Sequence, residues 1–123
     1  MSQVGDKDTA PERIVRTELH KMGYRFRLHV ANLPGSPDIV LPRHGKLIMV
    51  HGCFWHGHKG CSRSKRPTSN VKFWNKKING NMERDRRILR KLRLLGWRVL
   101  AVWQCQTRDV EALQKRLAKF MLS

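Results

Sequence analysis

Apolar residues change their rhythm several times along the chain, and each change marks an element. Ile14, Val15, Leu19 and Met22 recur at helical spacing between a Thr9/Glu12 capping box and a stop at Gly23, which predicts a first helix. The period then falls to two: Tyr24, Phe26, Leu28 and Val30 face one way and Arg25, Arg27 and His29 the other, the pattern of a half-buried strand. Leu33 to Pro37 is a turn that feeds a short apolar run, Ile39-Val40-Leu41, and Pro42 to Gly45 turns again into Leu47-Ile48-Met49-Val50. These two runs read as a central antiparallel hairpin. From His51 to Asn70 periodicity disappears in a stretch rich in Gly, Cys, His, Ser and basic residues, and so long an irregular loop calls for a function or a fastener.

Order resumes with a short helix over Val71 to Ile78, then a longer basic helix lined by Met82, Ile88, Leu89, Leu92 and Leu95 as far as Gly96. Trp97 to Trp103 is apolar enough for a buried strand, and Arg108 to Met121 closes the chain as a helix with Val110, Leu113, Leu117 and Phe120 inward. The expected fold is α/β, a single domain over residues 1–123 with a mixed sheet of about four strands flanked by helices.

Charge narrows the partner. Lys and Arg number 26 against 9 Asp and Glu, a formal net charge of +17, and the basic residues recur along the whole chain: Arg25 and Arg27, Arg63 to Arg66, Arg84 to Arg93. Each cluster taken alone is a solvated face, but the total points to a polyanion. The helices carry ordinary core-facing stripes without a Trp/Phe-rich insertion face, so nucleic acid outranks an anionic membrane, and no membrane-spanning run is present. Three cysteines cannot all pair within the chain, and no secretory segment precedes them, so a cytoplasmic, reduced protein is expected.

Cys53, His56, His58 and Cys61 fall within nine residues, and Cys105 follows the last predicted strand. Thiolates and imidazoles at this spacing are the set that tetrahedral zinc prefers. The three cysteines and one histidine would close such a site and pin the loop to a distant strand end. That leaves the other histidine for chemistry, where an imidazole acts as a general base near neutral pH. The competing reading is unrelated core cysteines beside a His-rich turn.

Acidic residues are scarce enough to weigh singly. Asp38 opens a strand after Pro37, in a hairpin that runs straight into the Cys/His loop, and it is placed to offer a carboxylate to a Mg²⁺ ion that also holds a phosphate. A turn aspartate after proline is also common without any such role. Glu12 already has a structural use in the capping box, and Asp85, set among arginines, reads as an exposed ion pair. Phe54 and Trp55 inside the polar loop, and Phe73 and Trp74 after it, suit either insertion between base pairs or a plug beneath the zinc; for Phe73 the plug is the expectation.

Leu33-Pro34-Gly35-Ser36-Pro37-Asp38, His51-Gly52-Cys53-Phe54-Trp55-His56, Glu83-Arg84-Asp85-Arg86 and Leu95-Gly96-Trp97-Arg98-Val99 together closely resemble the bacterial very-short-patch mismatch-repair endonucleases. The match runs from about Asp8 to the last helix, and the His-Gly-Cys-Phe-Trp-His string is its most specific part. The resemblance implies a fold related to type II restriction endonucleases. It also implies a Mg²⁺-dependent, strand-specific nick on the 5′ side of the thymine in a T·G mismatch, of the kind left when 5-methylcytosine deaminates. Carried over residue by residue, it makes Asp38 the metal-binding carboxylate, with the backbone carbonyl of Val50 as the second protein oxygen. His56 becomes the general base, Glu12 a carboxylate acting near the metals through water, and His51 with Asp85 a supporting pair. Cys53, His58, Cys61 and Cys105 become the ligands of a structural zinc, and Phe54, Trp55 and Trp74 the rings that wedge into DNA.

The spacer between His58 and Cys61 is one residue longer than in some relatives of that kind. Such relatives also carry a further basic segment ahead of the region where this chain begins, and Met1 to Gly5 looks like its tail, so a short or truncated DNA-clasping arm is expected. The implied partners are double-stranded DNA with a T·G mismatch and other mismatch-repair proteins. The implied setting is the bacterial cytoplasm near the nucleoid, with a monomer sufficient to cut one strand. Two rival readings stand beside this one: a zinc-stabilised DNA-binding module without catalysis, and a restriction-type nuclease with no mismatch preference.

Overall fold

A computed structural model describes residues 10–62 and 65–123, so Thr9, the segment from Met1 to Gly5 and the Arg63-Ser64 part of a basic cluster lie outside the described residues. Helix α1 (Ala10–Lys21) buries Val15 and Leu19 completely, with Ile14 and Met22 packed beside them, as the spacing requires. It also buries Glu12 and Glu18, which an amphipathic pattern does not foresee. Gly23, at φ +89°, ends it.

The sheet has four strands in the order β1-β2-β3-β4: β1 (Arg27–Leu28), β2 (Ile39–Leu41), β3 (Lys46–His51) and β4 (Arg98–Trp103). β1–β2 and β2–β3 are antiparallel and β3–β4 parallel, with Ile39 opposite Ile48 and His51 opposite Trp103. The expected hairpin is thus the centre of a mixed sheet. Helix α2 (Val71–Leu94) makes the crossover between β3 and β4, and α3 (Val110–Leu122) follows β4 after a 3₁₀ turn at Gln104–Thr107. One core lies between the sheet and helices α1 and α3, around Val15, Ile39, Leu41, Ile48, Leu113 and Leu117. A smaller one, Val40, Leu47 and Leu92 with Met49, Ile88 and Val99, lies under α2.

Four expectations are corrected here. The first strand is shorter than Tyr24 to Val30: Tyr24 and Phe26 do pack on the core, but Leu28 is 38% exposed and His29, at φ +48°, turns inward instead of outward. The two helices after the loop are one helix of 24 residues. Asn79-Gly80-Asn81 looks like a break because Gly and Asn are poor helix formers, but tertiary contacts bridge it. Asn81 Nδ2 donates to the Trp55 carbonyl (3.0 Å), Arg66 donates to both Asn75 and Asn79, and Ile78 is fully buried. Leu95 and Val110, expected inward, are 61% and 40% exposed, Leu95 at the C-cap of the long helix and Val110 at the first residue of α3. Phe73, expected to plug the core, is 58% exposed on the first turn of α2.

Lys46 is buried at the start of β3, where its ammonium donates to the Phe120, Met121 and Ser123 carbonyls at 2.8, 2.8 and 3.0 Å. A buried cation is tolerated there because the carbonyls ending α3 carry the negative end of the helix dipole. No helix among the described residues is long and apolar enough to cross a membrane.

Candidate active site and metal centre

Because β2 and β3 are antiparallel and β3 and β4 parallel, the start of β2 and the ends of β3 and β4 meet at one edge of the sheet. Asp38 immediately precedes β2, and His51 and Trp103 are the last residues of β3 and β4. Asp38 is held from two sides: the Val50 N–H donates to its Oδ2 (2.8 Å), and its own carbonyl accepts from the His29 N–H (3.1 Å). The loop before it is fixed against α2, since a Cβ on Gly35 would meet Ile88 Cγ2 at 2.6 Å. Burial, with Glu12 adding to it, pushes the Asp38 carboxyl up to about 6 against the pull of the Val50 N–H and of His29 and His56. The contact to Val50 is through its N–H, whereas the group expected to face a cation is its carbonyl.

Glu12 reaches this carboxylate from α1. It is 1% exposed, and its Oε2 lies 2.7 Å from His29 Nε2 and 3.8 Å from Arg16. Glu12, His29 and Asp38 each offer a donor atom within 4.8 Å of the others, a set that could hold a metal ion. Sequence reasoning missed His29, since alternation placed it on the solvent face of a strand that in fact ends there.

A second cluster lies beside the first. His56 Nδ1 is 2.6 Å from Asp85 Oδ2, and the His56 ring stacks on His51 with centroids 4.2 Å apart and planes 7° apart. Trp103 closes the stack edge-on against His51 at 5.0 Å. Both nitrogens of His51 are buried with no hydrogen-bond partner among the described residues. Burial, reinforced by His56 and opposed by Asp85, lowers its pKa to about 4, so His51 is a neutral ring at physiological pH. Asp85 is therefore not the exposed ion pair that its arginine neighbours suggest. An apolar cavity bounded by Met49, Leu92 and Val99 opens onto this pair.

The third cluster holds the loop. Cys53, His58, Cys61 and Cys105 present donor atoms all within 4.8 Å of one another. Cys105 Sγ is 3.5 Å from His58 Nδ1, and the Cys105 N–H donates to Cys53 Sγ at 3.4 Å. Tetrahedral zinc, with bonds of about 2.1–2.3 Å, sets its ligand atoms roughly 3.5–3.8 Å apart, so three thiols and one imidazole at this spacing fit such an ion. Desolvation and hydrogen bonds to Cys53 and Cys61 push the Cys105 thiol up to about 11. His58 is further held flat on Trp103, centroids 4.2 Å apart, so of the two candidate histidines it is His58 that joins the cysteines and His56 that faces Asp85.

Four aromatic rings form a further group. Phe54, Trp55 and Trp74 are in mutual contact at 5.1 to 5.9 Å, and Phe73 joins them edge-on to Trp74 at 5.1 Å. Trp55 is 45% exposed and Phe73 more so.

The model of the family described as "DNA mismatch endonuclease Vsr" matches residues 1–63. The DNA mismatch endonuclease Vsr of Escherichia coli (strain K12) is 44% identical over 113 residues, which cover 92% of this chain and 72% of that protein. The chain belongs to the Vsr family. Two further relatives of this Vsr chain are named as type II nicking enzymes. V.XorIIP of Xanthomonas oryzae pv. oryzae is 50% identical over 98% of this chain and 88% of its own length. V.NmeAIP of Neisseria meningitidis serogroup A is 36% identical over 98% and 86%. Membership makes the Vsr chain an endonuclease, a hydrolase, as its residues led one to expect.

Proposed function

We propose that this protein nicks one strand of double-stranded DNA on the 5′ side of the thymine in a T·G mismatch, using Mg²⁺ at Asp38 and a structural zinc at the cysteine cluster. The observation that carries the reading is the pairing of His56 with Asp85 at 2.6 Å beside the buried Asp38 group, at one edge of the sheet of a Vsr-family chain. The arrangement of helices about a mixed sheet with the site at the strand ends is compatible with the restriction-endonuclease-like fold.

Each residue has a task that its surroundings allow. Asp85 accepts the Nδ1–H of His56, so Nε2 of His56 is left to take a proton from an attacking water. His51, kept neutral, supports the His56 ring by stacking without adding a charge that would compete for that proton. Asp38 and the Val50 carbonyl would hold the divalent ion, with Glu12 acting near it through water. An ion bound there supplies Lewis-acid stabilisation of the charge that develops on the phosphate and the leaving oxygen. Cys53, His58, Cys61 and Cys105 would hold zinc, which fixes the loop carrying His56 and the rings. Phe54, Trp55 and Trp74 would enter the base stack beside the mismatch, where weakened pairing lowers the cost of opening.

The test is strand-specific nicking of paired duplexes that differ only in T·G against C·G, with and without Mg²⁺. Mg²⁺-dependent nicking of the thymine strand alone supports the reading. Equal cutting of both duplexes would instead favour a restriction-type nuclease, and binding without cutting a DNA-binding module.

A further inference from the structure

We propose that His29 supplies a nitrogen donor to the Asp38 site, so that its imidazole binds the divalent ion directly, beside Asp38 and next to Glu12, and lets the site take first-row transition ions as well as Mg²⁺. The proposal rests on the reading above that Asp38 holds a divalent cation, and it adds an assignment for His29, which that reading leaves without a role.

The backbone is the first argument. His29 sits at φ +48°, in the left-handed region that few residues other than glycine adopt, though His, Asn and Asp do so more readily. Its N–H is spent on the Asp38 carbonyl (3.1 Å), so the turn that ends β1 is tied to the residue it faces. The effect is to swing the ring from the solvent side of the strand into the space between α1 and β2.

The second argument is the contact made there. His29 Nε2 and Glu12 Oε2 are 2.7 Å apart, yet Nε2 is buried and meets hydrogen-bond geometry toward none of the described residues. An ordinary His–Glu pair at that distance aligns its N–H on the carboxylate. Two donor atoms this close also match adjacent ligands of one ion: with bonds of about 2.0–2.2 Å, neighbouring ligand atoms of an octahedral ion sit roughly 3 Å apart. Asp38 completes the group within 4.8 Å.

The donor set then decides the class of ion. Carboxylate oxygen serves Mg²⁺ and Mn²⁺ alike, whereas an added imidazole extends the site toward first-row transition ions; Mn²⁺, which accepts both donors, is the probe. Two carboxylates and one imidazole place this site between the hard oxygen sites and the thiolate-rich cluster around Cys105, so the two sites on one chain are expected to sort their ions by chemistry.

The experiment is Mn²⁺ binding to the zinc-loaded protein without DNA, followed by electron paramagnetic resonance, with electron spin-echo modulation used to detect nitrogen at the ion. Wild type is expected to bind Mn²⁺ with a histidine nitrogen coupling. His29→Gln, and His29→Asn, which tolerates the same backbone, should lose the coupling and bind Mn²⁺ at least tenfold more weakly. His56→Ala should keep both. Unchanged melting temperature and zinc content confirm that the variants are folded. Mn²⁺ bound by wild type without nitrogen coupling, or a coupling that survives both substitutions, would overturn the role of His29 while leaving the Asp38 cation site intact. No Mn²⁺ binding by wild type would overturn both, and Asp38→Ala identifies the site in either case.

Discussion

His56 Nδ1 lies 2.6 Å from Asp85 Oδ2, a contact that joins the irregular loop to the middle of the longest helix. The pair gives an imidazole a fixed orientation and tautomer. His56→Ala should therefore reduce single-turnover nicking of a T·G duplex by about 10²–10⁴-fold, the usual worth of a positioned general base. Asp85→Asn should lose less, and neither should change equilibrium binding of the duplex by more than about threefold. Full nicking by His56→Ala would remove it from the mechanism.

Asp38 carries a stability cost of its own. Its folded pKa of about 6 lies above the ordinary 3.8, so the folded state holds the proton more tightly than the unfolded chain does. The stability this contributes is present below about pH 3.8 and is lost as pH rises through about 6. Asp38→Asn escapes that loss, because a neutral amide oxygen can still accept from the Val50 N–H. In Mg²⁺-free buffer at pH 7.5 the variant should be more stable than wild type by up to about 3 kcal/mol, with the difference shrinking toward pH 4, and it should not nick. Equal melting temperatures at both pH values would show that Asp38 is not under strain.

His51 gives the opposite slope. Its pKa, lowered to about 4 from 6.5, means that stability present above about pH 6.5 is lost as pH falls through about 4. His51→Gln should flatten the acid limb of the stability profile between those values, as measured by urea unfolding at stepped pH. An unaltered acid limb would show that the ring is charged or hydrated.

Removing one sulfur tests the fastener. Cys105→Ser should reduce bound zinc well below one per chain and lower the melting temperature by roughly 10 °C, the shift expected for a loss of about 2–3 kcal/mol in a domain of this size. One equivalent of zinc in the purified variant, by atomic absorption, would refute the shared site.

Phe73 tests the ring surface without touching the core. It is 58% exposed, so Phe73→Ala should leave the melting temperature within a degree or two of wild type. If the ring meets an opened base, mismatch affinity should fall by about 1–3 kcal/mol, the worth of one stacked base. An unchanged affinity would confine the wedge to Phe54, Trp55 and Trp74.

Much of this architecture can be read from periodicity and apolar runs, because α1 and α3 each bury one regular stripe, while runs such as Ile39-Val40-Leu41 are buried on both faces and have no solvent face to confuse the pattern. The cysteine cluster is equally legible, since spacing and residue type are all that a tetrahedral site demands. What the chain conceals is whatever depends on a single backbone rotation or on a distant contact. One positive φ at His29 reverses a strand's inside and outside, and a loop hydrogen bond from Asn81 keeps α2 continuous through Gly80. The task of Asp85 is hidden for the same reason, because its partner is 29 residues away.

The continuity of α2 has a geometric consequence for the proposed nicking reaction. Trp74 stands in its first turn and Asp85 eleven residues later, which at 1.5 Å per residue is about 16 Å along one rigid axis. A break at Gly80 would have left two short rods free to change their angle. As a single rod, the helix is a ruler: if the rings enter the duplex and His56 takes the proton as proposed, the two events are held at one fixed separation, and the position of the nick is then measured by the protein rather than sought on the DNA.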